Sequence, residues 1–231
     1  KGIDIVEKEI PEMVRIAHSF GKALLINIAP VSYEPARESA ELVRRAYTAG
    51  ADGVILNAGC PNVVTEDGGR HEILSRSPDA LAEVLKGVKS EGVGAPVMVR
   101  ISPQDTYDAT WQIARVIHAS KVVSAVFTPN TWPGHVPTDK KGRLVLEVPG
   151  GAGGKSGPAV SFEARRETAY AVRALRGSGI DIISSSGITN ALELKSRLDL
   201  GAVAAAGTTF YYESQNGWQE DTARLLTDLA D

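Results

Sequence analysis

The sequence predicts a parallel α/β barrel that is short of its full strand count. Three observations predict it. Short apolar runs alternate with helix-patterned segments along the whole chain, the order that builds a parallel sheet covered by helices. Each run ends in a polar or glycine-rich position: Asn27, Asn57, Arg100, Asn130, Ser186-Gly187 and Gly207-Thr208. In a (βα)8 barrel those ends share one rim, and the site is built there. The first visible strand ends Asn27-Ile28-Ala29-Pro30, with no glycine-rich turn into its helix, which disfavours an open dinucleotide-binding sheet.

The elements follow from periodicity and punctuation. Residues 4–20 place Ile5, Val6, Ile10, Met13, Val14, Ile16 and Ala17 at helical spacing and close at Gly21, with Pro11 leaving the first part open. Residues 23–29 read as a strand, 35–49 as a helix stopped by Gly50, and 54–57 as a strand. Ser77-Pro78 opens a helix to about Ser90, with Ser at the N-cap and Pro in the first turn. Strands at 96–101 and 122–127 bracket a helix at 106–119. A glycine- and proline-rich stretch follows, read as a loop or hairpin inserted at the barrel mouth over 131–159, with Arg143 to Val148 as one arm. Then come a helix at 161–176, a strand at 180–184, a helix at 191–200, a strand at 202–206 and a closing helix at 218–229. That makes about six strands where a full barrel needs eight. About two strands are expected to be absent at the N-terminus, and the open edges would invite pairing with another chain.

The totals fit one domain over residues 1–231. A formal net charge of -3 and a pI near 5.9 give no broad footprint for nucleic acid. No apolar run reaches the roughly 18 residues of a membrane helix. One cysteine in 231 residues excludes an internal disulfide and suits a reducing compartment. The start, Lys1-Gly2-Ile3-Asp4, has no signal-peptide layout, and a cytoplasmic location is expected.

Chemistry concentrates after the second strand. Val54-Ile55-Leu56 is an apolar run that ends in Asn57-Ala58-Gly59-Cys60-Pro61-Asn62. Gly59 and Pro61 force a turn that presents two amides around a thiol. An amide offers both a donor and an acceptor, which suits a ring built of –NH–C(=O)– units. A thiol beside it can move a proton, although a lone cysteine is also a common inert core residue. His71 and His135 read as surface residues, and no His/Cys/Asp spacing suggests a metal.

Taken together, these residues resemble the dihydroorotate dehydrogenase family. Asn57 to Asn62 resembles its N-x-S-C-P-N signature, and Val99-Arg100-Ile101-Ser102-Pro103 its V-K-[IL]-[ST]-P strand end. Asn130-Thr131 resembles a later N-T pair, and Gly153-Gly154-Lys155-Ser156-Gly157 a flavin phosphate loop. Ser186-Gly187-Ile188 and Gly207-Thr208 look like further phosphate contacts. The resemblance implies a TIM barrel holding FMN, here without its first strands, that oxidises dihydroorotate to orotate in pyrimidine biosynthesis. Cys60 would be the base for the proton on substrate C5 while hydride passes from C6 to flavin N5, and a cysteine base points to the soluble class. Asn57, Asn62, Asn130 and Thr131 would hold the pyrimidine. Asn27, Asn57 and Arg100 would contact the flavin ring. Gly153, Gly154, Ser156, Gly157, Ser186, Gly187, Gly207 and Thr208 would cradle its phosphate.

Three departures qualify the resemblance. Arg100 replaces a lysine, and its larger forked head changes the cofactor geometry. Ser184-Ser185-Ser186-Gly187 replaces a more glycine-rich loop. The N-terminal segment that supplies part of the family's substrate site is expected to be absent from these residues, with a homo-oligomer or another chain expected to complete it. Gly59 matches the N-x-G-C-P of tRNA-dihydrouridine synthases, but the later motifs do not. The sequence also leaves open a dihydropyrimidine dehydrogenase-like enzyme and a degenerate, flavin-free barrel.

Overall fold

The computed structural model describes residues 2–60, 72–92, 94, 96–148, 151–208 and 227. Its centre is a six-stranded parallel sheet. The strands are β1 (Leu25–Ile28), β2 (Gly53–Asn57), β3 (Val97–Arg100), β4 (Val123–Thr128), β7 (Asp181–Ser185) and β8 (Ala204–Ala206), side by side in that order. Helices α1 (Ile3–Ser19), α2 (Pro35–Thr48), α3 (Pro78–Ser90), α4 (Tyr107–Ser120), α5 (Ser161–Ala174) and α6 (Ala191–Asp199) alternate with them. A two-stranded antiparallel hairpin, β5 (Trp132–His135) with β6 (Gly153–Lys155), stands apart from the sheet. The expected closing helix at 218–229 lies almost wholly outside the described residues.

Helix starts follow their capping chemistry. Ser77 accepts from the Ala80 N–H at 3.4 Å with Pro78 behind it, and Thr106 accepts from the Ala109 N–H at 3.2 Å. Asn190 caps α6 by accepting from the Glu193 N–H at 3.0 Å. Helix α1 runs unbroken through Pro11. It is tied to α2 by Arg45, whose Nε donates to Glu7 at 2.8 Å. Its end is tied to the sheet by Asp52, which accepts from the Leu24 N–H at 2.7 Å and faces His18 at 3.0 Å.

The two faces of the sheet are built differently. Ile26, Ile28, Val54, Leu56, Val97, Val99, Val126 and Ile182 are buried and pack under Val43, Ala46, Leu81, Leu85, Ile113, Ile117 and Ala171 of the helices. Alternate residues point the other way. On that inner face Leu25 and Asn27 are exposed, and Ile55, Asn57, Met98 and Arg100 are half-buried. The core therefore sits between sheet and helices, and the inner face is left for the site.

One expectation holds only in part in the inserted stretch. Arg143 to Val148 forms no continuous strand, but its first residues fold back on 137–139: Leu144 bridges Thr138, the Val145 N–H donates to Pro137 O at 3.1 Å, and the Asp139 N–H donates to Arg143 O at 2.9 Å. The paired arm is Gly153–Lys155 instead. Close approach decides this. A Cβ on Gly154 would overlap the Thr131 side chain, and one on Gly153 would sit 2.7 Å from Leu146 Cδ1. The glycine pair lets two backbones meet over a longer ladder, whereas Leu144 and Val145, both more than half exposed, bury little by extending theirs.

Candidate active site

The carboxyl ends of the strands enclose a cavity of about 240 Å³ on the inner face. Asn27, Arg100, Ser156, Ser186, Gly187, Gly207 and Thr208 line it together, although they come from five separate parts of the chain. Ile55, Phe127, Ser185, Ile188 and Ala206 complete the wall. Strand register explains the convergence. Asn27 lies beside Ile55, Asn57 beside Arg100, and Arg100 beside Phe127 in successive ladders. The motifs in the sequence do not mark Ile55 and Phe127 as site residues. The signal for Ile55 is its parity, two residues before Asn57 on the same face.

Arg100 is the cavity's cation. Burial lowers its pKa, and the Cys60 sulfur, if ionised, acts the other way. Its Nε is buried with no hydrogen-bond partner among the described residues. A buried donor of this kind is a standing cost unless something accepts from it.

Cys60 and Asn57 line a small crevice beside the cavity, about 20 Å³, with Pro30, Pro35, Ala58, Glu72 and Leu74. The Cys60 thiol is half-buried. Gly59 explains how the turn reaches this place. A Cβ there would overlap the Ser102 nitrogen and lie 2.6 Å from the Ile101 carbonyl carbon. Glycine alone lets the Cys60 turn lie directly on the end of β3. Asn62 lies outside the described residues.

Asn130 sits just beyond β4 and is buried. Its Nδ2 donates to Asn57 Oδ1 at 3.0 Å, and its Oδ1 accepts from the Thr131 N–H at 2.8 Å. It thus aligns Asn57 and fixes the start of the hairpin. The oxygen of Asn57 is engaged by this bond, which leaves its NH2 as the donor toward a ligand. Gly153 and Gly154 lie in the hairpin strand, and buried Gly157, at φ 79°, leads into the short 3-10 turn before α5. None of the three lines the cavity wall.

A polar network with little trace in the sequence supports the rim. Ser75 N–H donates to Ala58 O at 2.9 Å, and Ser102 N–H donates to Ser75 Oγ at 2.9 Å. The Gln104 side chain donates to the Ser75 and Ser102 carbonyls, both at 2.9 Å. Glu167, buried on α5, accepts from the Gln104 and Asp105 N–H groups at 2.8 and 3.1 Å. The only sequence signal is a carboxylate between Ala164 and Ala171 on a buried helix face. Burial raises the Glu167 pKa, against the backbone donors that lower it. The native state therefore holds this proton more tightly than the unfolded chain. Its stabilising contribution is full below the ordinary glutamate range and is lost as pH rises through the raised value. Calorimetry of Glu167→Gln between about pH 4 and pH 8 is expected to show a flatter dependence of Tm on pH than wild type. An unchanged slope would count against the assignment.

Among the described residues, no group of three or more His, Cys, Asp or Glu is placed to hold a metal, and no helix is long and apolar enough to cross a membrane.

A parallel βα sheet with a polar cavity at its carboxyl edge, lined in part by glycine-containing turns, is the arrangement in which barrel enzymes place their active sites. The chain belongs to the dihydroorotate dehydrogenase family, whose profile matches residues 1–226. It is 28% identical over its whole length to the catalytic subunit of dihydroorotate dehydrogenase B (NAD(+)) from Thermoplasma acidophilum, covering 70% of that protein. It is 27% identical to the dihydroorotate dehydrogenase (quinone) of Leifsonia xyli subsp. xyli, over 86% of this chain and 55% of that one. A crystal structure of DHODH in complex with ferulenol, from Eimeria tenella, superposes with a TM-score of 0.78. That match covers 99% of this chain and 64% of the other at 19% identity, and it shows the shared fold of a partial barrel. These relatives carry the dihydroorotate dehydrogenase name, which favours that reading over a dihydropyrimidine dehydrogenase or a tRNA-dihydrouridine synthase.

Proposed function

We propose that this chain binds FMN and oxidises dihydroorotate to orotate, with Cys60 as the base. One observation carries the reading: Asn27, Arg100 and three glycine- or serine-rich turns from separate elements line a single cavity at the carboxyl edge of the sheet. The residues suit the cofactor. Arg100 carries a half-buried charge with an unsatisfied Nε, which a flavin carbonyl oxygen could accept from. Ser186 and Gly187, at φ 63° and 75°, form a tight turn in the wall where a Cβ on Gly187 would meet Ser161 Cα at 2.7 Å. Ser156, Ser186, Gly187, Gly207 and Thr208 would hold the phosphate, and Asn27 and Arg100 the ring. Bound FMN supplies the hydride acceptor.

The chain's own residues do the rest. Cys60 stands beside Asn57 to take the proton from substrate C5. The free NH2 of Asn57 points the pyrimidine toward the thiol, and Asn130 keeps Asn57 in that orientation. Asn62 and Thr131 would complete the substrate contacts. Arg100 holds a fixed positive charge where negative charge grows during oxidation, in place before reaction begins.

The test is spectroscopic. Protein reconstituted with FMN should show the visible flavin band, and dihydroorotate added without air should bleach it. Protein that fails to bind added FMN overturns the reading. Asn130→Ala is expected to raise the dissociation constant for orotate about tenfold, the loss of one well-oriented hydrogen bond. FMN affinity, measured by fluorescence quenching, should change far less. Equal losses of both would remove Asn130 from its assigned role.

A further inference from the structure

The turn at Ser186-Gly187 is held from behind. Ser161, the first residue of α5, donates its hydroxyl to Gly187 O at 2.5 Å. Arg197, on α6 and fully buried, donates through Nη2 to Ser161 O at 3.1 Å and to Ser186 O at 3.3 Å. In a trans peptide the N–H points opposite to the C=O. With the carbonyls of Ser186 and Gly187 engaged behind the turn, the N–H groups of Gly187 and Ile188 face the other way. Both residues line the cavity.

Charge adds to this geometry. Arg197 and Arg165 share one carboxylate, each 3.2 Å from Glu193. Two guanidiniums against one carboxylate leave a positive charge unbalanced within this cluster. Arg197 Nε and Nη1 are also buried with no hydrogen-bond partner among the described residues. A buried guanidinium so poorly satisfied is a weak device for stability, since apolar replacement of buried ions is often neutral or stabilising. Its contacts account for its presence better than its contribution to folding does.

We propose that Arg197 is a positioning residue for the anion-binding turn: it aims the Gly187 and Ile188 N–H groups and lends charge to a bound phosphate without touching it. The inference rests on the FMN reading and names how that site recognises the phosphate end of the cofactor.

The experiment compares FMN with riboflavin, which lacks the phosphate, by fluorescence titration of wild type, Arg197→Met and Arg197→Lys. Melting temperatures are measured alongside. Wild type should prefer FMN. Arg197→Met should lose FMN affinity by about tenfold or more while riboflavin affinity stays within about twofold. Arg197→Lys keeps the charge on a head without the planar, preorganised fork, and should fall between. The FMN loss in Arg197→Met should also shrink as salt is added. Equal losses for both flavins, or a fall in melting temperature that accounts for both, would overturn the proposal, as would an Arg197→Met protein that binds FMN like wild type. Wild-type protein that binds neither flavin would overturn the functional reading and this inference with it.

Discussion

Cys60→Ala is expected to slow the bleaching of bound flavin by dihydroorotate by about 10²- to 10⁴-fold, the usual contribution of a positioned proton acceptor. Cys60→Ser should also lose most of the rate, because a hydroxyl surrenders its proton far less readily than a thiol. FMN affinity should not change in either variant. The reason is geometric: Cys60 lines the crevice beside Asn57 and not the cavity that Arg100 and the phosphate turns enclose. Stopped-flow absorbance reads the first effect and fluorescence quenching the second. A Cys60→Ala protein that bleaches at the wild-type rate would return this cysteine to the class of inert core thiols.

Arg100→Met is expected to move two quantities in opposite directions. Flavin reduction should slow by about 10²- to 10³-fold, as when a preorganised electrostatic contact is removed. The flavin-free protein should melt at a higher temperature than wild type. Burial already works against the charged form of Arg100, and its Nε has no partner among the described residues. An apolar side chain of similar reach removes that penalty. A variant that is both slower and less stable would mean that Arg100 serves the fold. A variant as fast as wild type would mean that the charge lies elsewhere.

The order of elements is legible in the sequence because short β-branched runs and capped helices announce themselves. Ser77-Pro78, Thr106 and Asn190 each begin a helix where side-chain chemistry says it should. The strand ends are legible too, since Asn27, Arg100, Ser186 and Thr208 reach one cavity. Cross-chain geometry is not. Nothing local says that Asn130 will donate its amide to Asn57, or that Gly153 and Gly154 will pair with the chain around Trp132 to His135. Glu167 and Arg197 escape for another reason. A charged residue on a helix normally marks its wet face, and here two of them point inward to hold loops.

The uneven burial of the sheet bears on how such a protein changes over time. Folding draws its stability from the helix-facing side, where Val54, Leu56, Val97 and Val99 are sealed under α2 to α4. The proposed site uses the opposite side, where Leu25 and Asn27 are exposed and Ile55 and Met98 only half-covered. Substitutions on that open side cost the molecule little stability, so new substrate preferences can be sampled there while the scaffold stays intact.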